Sequence, residues 1–186
     1  MPNLSLKVPV LLLAALAALP GTALAQSTDT KTLAVTGNVP AMCVGGTVGG
    51  DGAFNLGVLI DTATGLLRTD LSAPARVITG SYCSTRSTIN VAATPLAATN
   101  FTATPSSGFS RSVNYTATAS GWTPTAASFA IGAASNAAAT QTRDSAFSGD
   151  ITVNIGSFGV SGGNALRLVA DTAYRGLVTV TLTAVN

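Results

Sequence analysis

The sequence contains no histidine and no glutamate, and only 9% of its residues are charged. Histidine is the commonest general base and a frequent metal ligand, so its absence excludes every Ser-His-Asp and Cys-His mechanism. The net charge of +2 is not gathered into a basic cluster, so neither nucleic acid nor an anionic lipid surface is an expected partner. These absences predict a protein that is not an enzyme and that needs no cofactor and no metal.

Long apolar runs are also scarce, and the clearest one lies near the N-terminus. Residues 8–19 follow Lys7 and are apolar apart from one proline, and Pro20-Gly21 ends the run. Small residues at Ala23 and Ala25 occupy the two positions that signal peptidase reads. A membrane anchor, the alternative, needs about 20 continuous apolar residues. The pattern predicts a cleaved signal peptide over residues 1–25 and export to the periplasm, the cell surface or the extracellular space.

The predicted mature chain, residues 26–186, is rich in short runs that alternate between apolar and polar positions. Alternation with β-branched residues is typical of half-buried strands, and Gly- and Ser-rich turns separate the runs. We therefore expect one all-β domain, a sandwich or barrel, without a membrane span. The predicted strands cover residues 32–36, 77–82, 88–92, 112–117, 128–131, 151–155, 166–170 and 178–183.

The middle of the chain is harder to interpret. Residues 133–140 are Ala-rich and have the propensity for a helix, but the run is short and has no amphipathic face. We expect a loop or a weak edge strand there, and no role is assigned to the Ala/Ser/Thr-rich segment 119–148.

Two cysteines, Cys43 and Cys83, are present. In an exported chain an even pair predicts a structural disulfide, while a metal site would need further ligands and a catalytic thiol would need a histidine. A bridge that closes a loop of this length would contribute about 4 kcal/mol on the chain-entropy model.

Three segments of the sequence have a layout that is found in a known group of exported subunits. The first is VPAMCV at residues 39–44, followed by a Gly-rich turn and FNLG at residues 54–57. The second is YCS at residues 82–84 with STINV at residues 87–91, and the third is AYRGLVTVTL at residues 173–182. This layout resembles the spore coat protein U family of chaperone–usher pilin-like subunits.

The resemblance implies an immunoglobulin-like β-sandwich that lacks its last strand. In that family a periplasmic chaperone, and then the N-terminal segment of a neighbouring subunit, fills the gap by strand addition. The possible donor strand here is residues 27–36, with Leu33 and Val35 as its apolar positions, although Asp29 and Lys31 fall on the same face. The alternative is that residues 32–39 form the first strand of a complete sandwich.

Aspartate pairs are the remaining candidates for catalysis. Asp144 with Asp150, or Asp51 with Asp61, could approach each other across a turn, and paired carboxylates serve glycosidases. Isolated aspartates beside Gly and Ser are more simply turn formers, and we favour that interpretation.

The few aromatic residues allow a second function, a self-contained secreted adhesin or carbohydrate-binding module. Trp122, Tyr115, Phe109 and Phe129 could form a platform for sugar. In a chain so poor in aromatics they are better core candidates, and Trp122 is expected at the centre of the sandwich.

Overall fold

The computed structural model describes residues 28–185, in two units: residues 28–37, and the domain that begins at Asn38. The signal peptide predicted over residues 1–25 lies outside the described residues. The domain is nearly all β, with one 3₁₀ turn at Ala137–Ala139. No helix in the described part of the chain has the length and hydropathy to cross a membrane.

Thirteen strands follow one another along the domain. The short strands, of two to four residues, are β1 (Cys43–Val44), β2 (Thr47–Val48), β5 (Leu96–Ala98), β6 (Phe109–Ser110), β8 (Ala127–Ala130), β9 (Thr140–Arg143), β11 (Arg167–Leu168) and β12 (Tyr174–Arg175). The long strands are β3 (Arg76–Cys83), β4 (Ser87–Ala93), β7 (Ser112–Ser120), β10 (Phe147–Val160) and β13 (Val178–Ala184).

Most of the strands belong to one large sheet in the order β1-β3-β10-β7-β5-β12, with β2 beside β3 and β8 beside β7. All of its neighbouring strands run antiparallel. A smaller sheet has the order β13-β4-β9, and β6 and β11 form a short parallel pair. The alternation found in the sequence fits these ladders, since each long strand turns one apolar face inward.

The core lies between the two sheets. Trp122 is fully buried there, beside Ile89 and Val91 of β4 and Tyr115 and Ala117 of β7. Burial of an aliphatic side chain such as Ile89 contributes about 1.5–3 kcal/mol relative to its exposed state. The expected all-β, sandwich-like fold and the central position of Trp122 are therefore confirmed.

The predicted disulfide joins Cys43 to Cys83. The two residues face each other directly in the ladder between β1 and β3, and their Cα atoms are 4.1 Å apart. Because β1 has two residues, its ladder alone is short, and the covalent bond fixes this edge strand to its neighbour.

A bulge in β3 explains the inward direction of both Ile78 and Ser81, which an unbroken alternation would place on opposite faces. The register with β10 shifts between Gly149 and Ile151. Gly80 adopts a φ of 72°, a conformation that glycine reaches without strain, and its N–H donates to the Asp150 carboxylate at 3.1 Å. The bulged amide is thereby satisfied.

The predictions for the weaker segments have mixed outcomes. Residues 133–136 are irregular, with a bend at Ala134, and lead into the 3₁₀ turn, and a strand begins only at Thr140, so the loop interpretation holds for most of this segment. The strand predicted over residues 166–170 is reduced to the two residues of β11. The strand predicted over residues 32–36 is wrong, since residues 28–42 contain no strand.

Candidate functional site

The clearest functional feature of the domain is the outer edge of β13. Within residues 28–185, β13 pairs with β4 alone, from Val178 opposite Ala93 to Ala184 opposite Ser87. The backbone N–H and C=O groups on its other edge therefore have no strand partner in the described chain. An exposed edge of this kind is a template for another extended chain.

The inward side chains of β13 are apolar but incompletely covered. Val178, Val180 and Leu182 pack against the core cluster, yet each remains half-buried. Directly across the ladder, Val91 and Ile89 of β4 are fully buried. The core is thus open along β13, where a further strand would complete its cover.

Other apolar side chains extend this partly open surface. Phe54, Ile155 and Phe158 pack against the same core cluster and are half-buried. The Tyr115 hydroxyl donates to the Leu177 carbonyl at 3.2 Å, and the Tyr115 ring lies 6.2 Å from the Phe158 ring. This contact links the start of β13 to the centre of the large sheet. Burial raises the pKa of the Tyr115 phenol, which stays a neutral hydrogen-bond donor.

The edge of β13 lacks the charges and prolines that protect many sheet edges against association. Residues 177–185 include no charged residue and no proline, and the outward positions of the strand are threonines. The opposite edge of the same sheet is β9, which is short, polar and ends at Arg143. Natural sheets protect their edges with short strands and charges, so β9 is protected and β13 is not.

A cleft of about 760 Å³ lies between residues 51–60 and residues 168–175. Its apolar lining includes Phe54, Leu96 and Leu168. On the second wall, the Asp171 carboxylate and the Tyr174 hydroxyl are hydrogen-bonded within the domain, and the hydroxyl donates to the Val169 carbonyl at 2.7 Å. The cleft therefore offers shape and apolar surface rather than reactive groups.

Asp171 fastens the cleft wall to the loop at residues 99–101. Its carboxylate accepts hydrogen bonds from the backbone N–H groups of Ala173 at 2.9 Å, and of Asn100 and Phe101 at 2.8 Å. The Asn100 side-chain amide donates to it at 2.7 Å. These donors, the Ala173 amide foremost, lower the pKa of Asp171 from 3.8 to about 2. A carboxylate stabilised in this way is a structural clip rather than a general base.

The segment that carries the donor candidates lies outside any strand. Leu33 is 87% exposed and Val35 is 97% exposed. Strand A of a complete sandwich, the alternative for residues 32–39, is wrong, because a strand requires cross-strand hydrogen bonds and none of these residues is in a ladder. Val39 is also exposed, at 81%. The donor strand predicted over residues 27–36 did not include Val39, because Gly37 interrupts the apolar series Leu33, Val35, Val39.

The aspartates considered for catalysis have separate structural partners. Asp51 and Asp61 accept from backbone N–H groups two residues further along, as turn formers do, and Asp51 also pairs with Arg76 at 2.9 Å. Asp144 pairs with Arg86 at 3.0 Å, while Asp150 satisfies the bulge in β3. Among the described residues there is no cluster of three or more His, Cys, Asp or Glu that could hold a metal ion.

Of the four aromatic residues considered for a sugar platform, Trp122 and Tyr115 are buried and Phe129 is half-buried. The core prediction is wrong for Phe109, which is 44% exposed. The Trp122 indole donates to the Ser87 hydroxyl at 3.2 Å, and its ring meets Phe147 edge to face at 5.2 Å. The Arg143 guanidinium lies over the Phe147 ring, 3.4 Å from its centre, and donates to the Trp122 carbonyl at 2.6 Å. Trp122 is therefore enclosed and presents no face to a sugar.

No protein-family model matches the chain, and no match was found among curated proteins or among solved structures. The unpaired edge of β13, with the apolar surface beneath it, is consequently the observation on which a functional assignment depends.

Proposed function

We propose that this protein is an exported, non-enzymatic structural subunit, pilin-like or spore-coat-U-like, that assembles by strand addition at the free edge of β13. The observation that carries the proposal is the coincidence of an unpaired backbone edge with half-buried inward side chains, Val178, Val180 and Leu182. In strand addition, main-chain hydrogen bonds supply affinity, and alternate side chains fill the pockets. The disulfide agrees with an oxidising compartment outside the cytoplasm.

The occupant that fits the edge is residues 32–39 of a second copy of the chain. Its alternate positions are Leu33, Val35, Gly37 and Val39, and it contains no charged residue. β13 has four inward positions over seven residues and is equally free of charge. Each donated Leu or Val that becomes buried contributes about 1.5–3 kcal/mol. The match in length, period and charge supports a second copy as the partner.

Such a contact joins two different surfaces, the N-terminal segment of one copy and the β13 edge of the next. A heterologous contact of this kind propagates into an open filament when its rotation does not close. Before assembly, the resemblance implies that a periplasmic chaperone covers the same edge with one of its own strands. The edge of β13 would then be covered first by the chaperone strand and afterwards by the donor segment of the next copy.

The proposal is tested by placing a charge beneath the edge. Val180→Asp in the full-length chain should abolish oligomers, because a carboxylate cannot be buried in the apolar surface without a partner. Thr142→Asp is the matched control, since it introduces the same charge at an exposed position of β9, on the opposite edge of the same sheet. Native-gel ladders and light scattering after size-exclusion chromatography measure the assembly, and circular dichroism checks that both variants fold.

Two outcomes would contradict the proposal. One is a wild-type mature chain that remains monomeric at high concentration and accepts no added peptide of residues 30–42. The other is a Val180→Asp variant that assembles as well as the Thr142→Asp control. A monomeric protein would favour the competing function, a self-contained adhesin or carbohydrate-binding module that uses the cleft beside Phe54 and Leu168.

A further inference from the structure

The candidate donor strand is bounded at both ends by residues that cannot continue it. On the N-terminal side, the Lys31 ammonium lies 2.8 Å from the Asp29 carboxylate, and these side chains are 79% and 70% exposed. On the C-terminal side, Pro40 follows Val39 directly. The uncharged window between them is eight residues, 32–39, one residue longer than β13.

Lys31 and Asp29 resist entry into an apolar groove. In an extended strand they lie on the same face as Leu33 and Val35, so further insertion would direct them at the core. An exposed ion pair contributes little to stability, whereas the transfer of two charges out of water costs far more than their attraction returns. The pair is therefore stable in solvent and unfavourable under the sheet.

Pro40 ends the ladder for a different reason. Proline has no backbone N–H to donate, and within sheets it is confined to edges, strand starts and bulges. A shift that carried Pro40 into the middle of the added strand would leave a ladder acceptor without a donor. Pro40 therefore opposes a slip that would bring residues C-terminal to Val39 into the ladder.

The acceptor strand cannot define the register by itself. Its sequence, Val-Thr-Val-Thr-Leu-Thr-Ala, repeats almost uniformly with a period of two. A slip of one residue would reverse the faces of the added strand, and is excluded, but a slip of two residues preserves the faces. Some other feature must select among the two-residue alternatives.

We propose that the Asp29–Lys31 pair and Pro40 fix the register of strand addition, one from each end, so that Leu33, Val35, Gly37 and Val39 lie beside the four inward positions of β13. This inference rests on the proposed function and goes beyond it, because it names residues outside the contact as the determinants of its alignment. The partner is a second copy of the same chain.

Disulfide cross-links between pairs of introduced cysteines measure the register directly. The full-length chain carries Thr36→Cys, at an outward position of the donor, together with Thr179→Cys, Thr181→Cys or Thr183→Cys on the outward face of β13. Directly opposed side chains in a ladder are close enough for oxidative cross-linking, and a two-residue offset separates them. One of the three pairs should give a ladder of covalent oligomers on a non-reducing gel.

The boundary residues are then changed. In a chain with Asp29→Val and Lys31→Val, the donor can slip by two residues so that position 31 enters the ladder. The cysteine pair that reports this slipped register should gain at least roughly tenfold in cross-link yield, which corresponds to about 1.4 kcal/mol. Pro40→Ala should instead raise the yield of the cysteine pair that reports the opposite two-residue slip. Thr30→Val is the matched control, because it alters the same segment on the opposite face and keeps both charges. Free-thiol analysis verifies that Cys43 and Cys83 remain bonded to each other.

The outcomes separate the two proposals. Filaments that keep one cross-linked pair in every background, or that give all three pairs equally in the parent chain, overturn the register inference and leave strand addition intact. A chain that gives no covalent oligomers with any pair, and stays monomeric, overturns strand addition and the register inference with it.

Discussion

Strands β4 and β13 are neighbours in one sheet and have the same kind of sequence, but they differ in how well their inward faces are covered. Ile89 lies opposite Leu182 and Val91 opposite Val180 in the ladder. The β4 side chains are fully buried, whereas those of β13 are half-buried. β4 has a hydrogen-bonded strand on each side, while β13 has one within the described chain. An alternating pattern therefore indicates a two-faced strand, and the number of neighbours decides whether that strand is complete.

The largest expected effect concerns β1, the edge strand of the other sheet, which approaches β13 to within 8 Å between Cα atoms. Replacement of Cys43 and Cys83 together by alanine frees β1 and should lower the free energy of unfolding by about 4 kcal/mol, since the bridge closes a 40-residue loop. Urea denaturation of the variant and of the reduced wild type should give the same decrement. A loss below about 1 kcal/mol would mean that the β1 edge is held without the bond.

The comparison of β4 with β13 is sharpened by matched truncations. Ile89→Ala should destabilise the monomer by roughly 2–5 kcal/mol, because it leaves a cavity in a closed part of the core. Leu182→Ala should cost about 1–2 kcal/mol, since part of that side chain is already in contact with solvent. Urea denaturation at concentrations that keep the chain monomeric measures both.

Assembly should narrow the difference in stability cost between Ile89→Ala and Leu182→Ala. Once an added strand covers β13, Leu182 becomes as buried as Ile89, and its truncation should then cost more in the oligomer than in the monomer. Equal costs in the monomer would show that the face of β13 is already closed, which would contradict the interpretation of β13 as an acceptor edge.

The sequence predicted the long strands well because their apolar periodicity extends over at least five residues. β3, β4, β7 and β13 match their predicted ranges to within a few residues, but residues 151–155 represent less than half of β10, where glycines interrupt the pattern. Apart from β11, which the prediction for residues 166–170 included, the strands of two or three residues were missed, since so short a run carries no period. β9 was missed because its sequence, Thr-Gln-Thr-Arg, contains no apolar residue.

The candidate site was only half predictable. Alternation at residues 178–183 indicated a strand, and the cysteine pair behind a predicted signal peptide indicated the bridge, but no local signal distinguishes an edge strand from a central one. The same limit explains the error at residues 32–36. Leu33 and Val35 have the pattern of a strand, and pattern alone cannot supply the neighbour that a strand requires.

The smallest effect concerns the cleft, where polar contacts rather than apolar packing hold the loops. The pKa of Asp171 is about 2 in the folded chain against an ordinary value of 3.8. A lowered folded-state pKa means that the carboxylate stabilises the fold fully above about pH 4 and that this contribution is lost as the pH falls toward 2. Asp171→Asn should therefore lower Tm at pH 7 and should approach the wild-type Tm near pH 2.

Melting curves of both proteins between pH 2 and pH 7 measure this convergence. Asp61→Asn is the control, because the Asp61 carboxylate accepts from its own turn and joins no second loop. A Tm difference for Asp171→Asn that stays constant over the whole pH range would mean that the charge of Asp171 does not help to hold the cleft wall to residues 99–101. Convergence would instead show that the cleft wall, unlike the closed core around Ile89, owes part of its order to one ionised group at the surface.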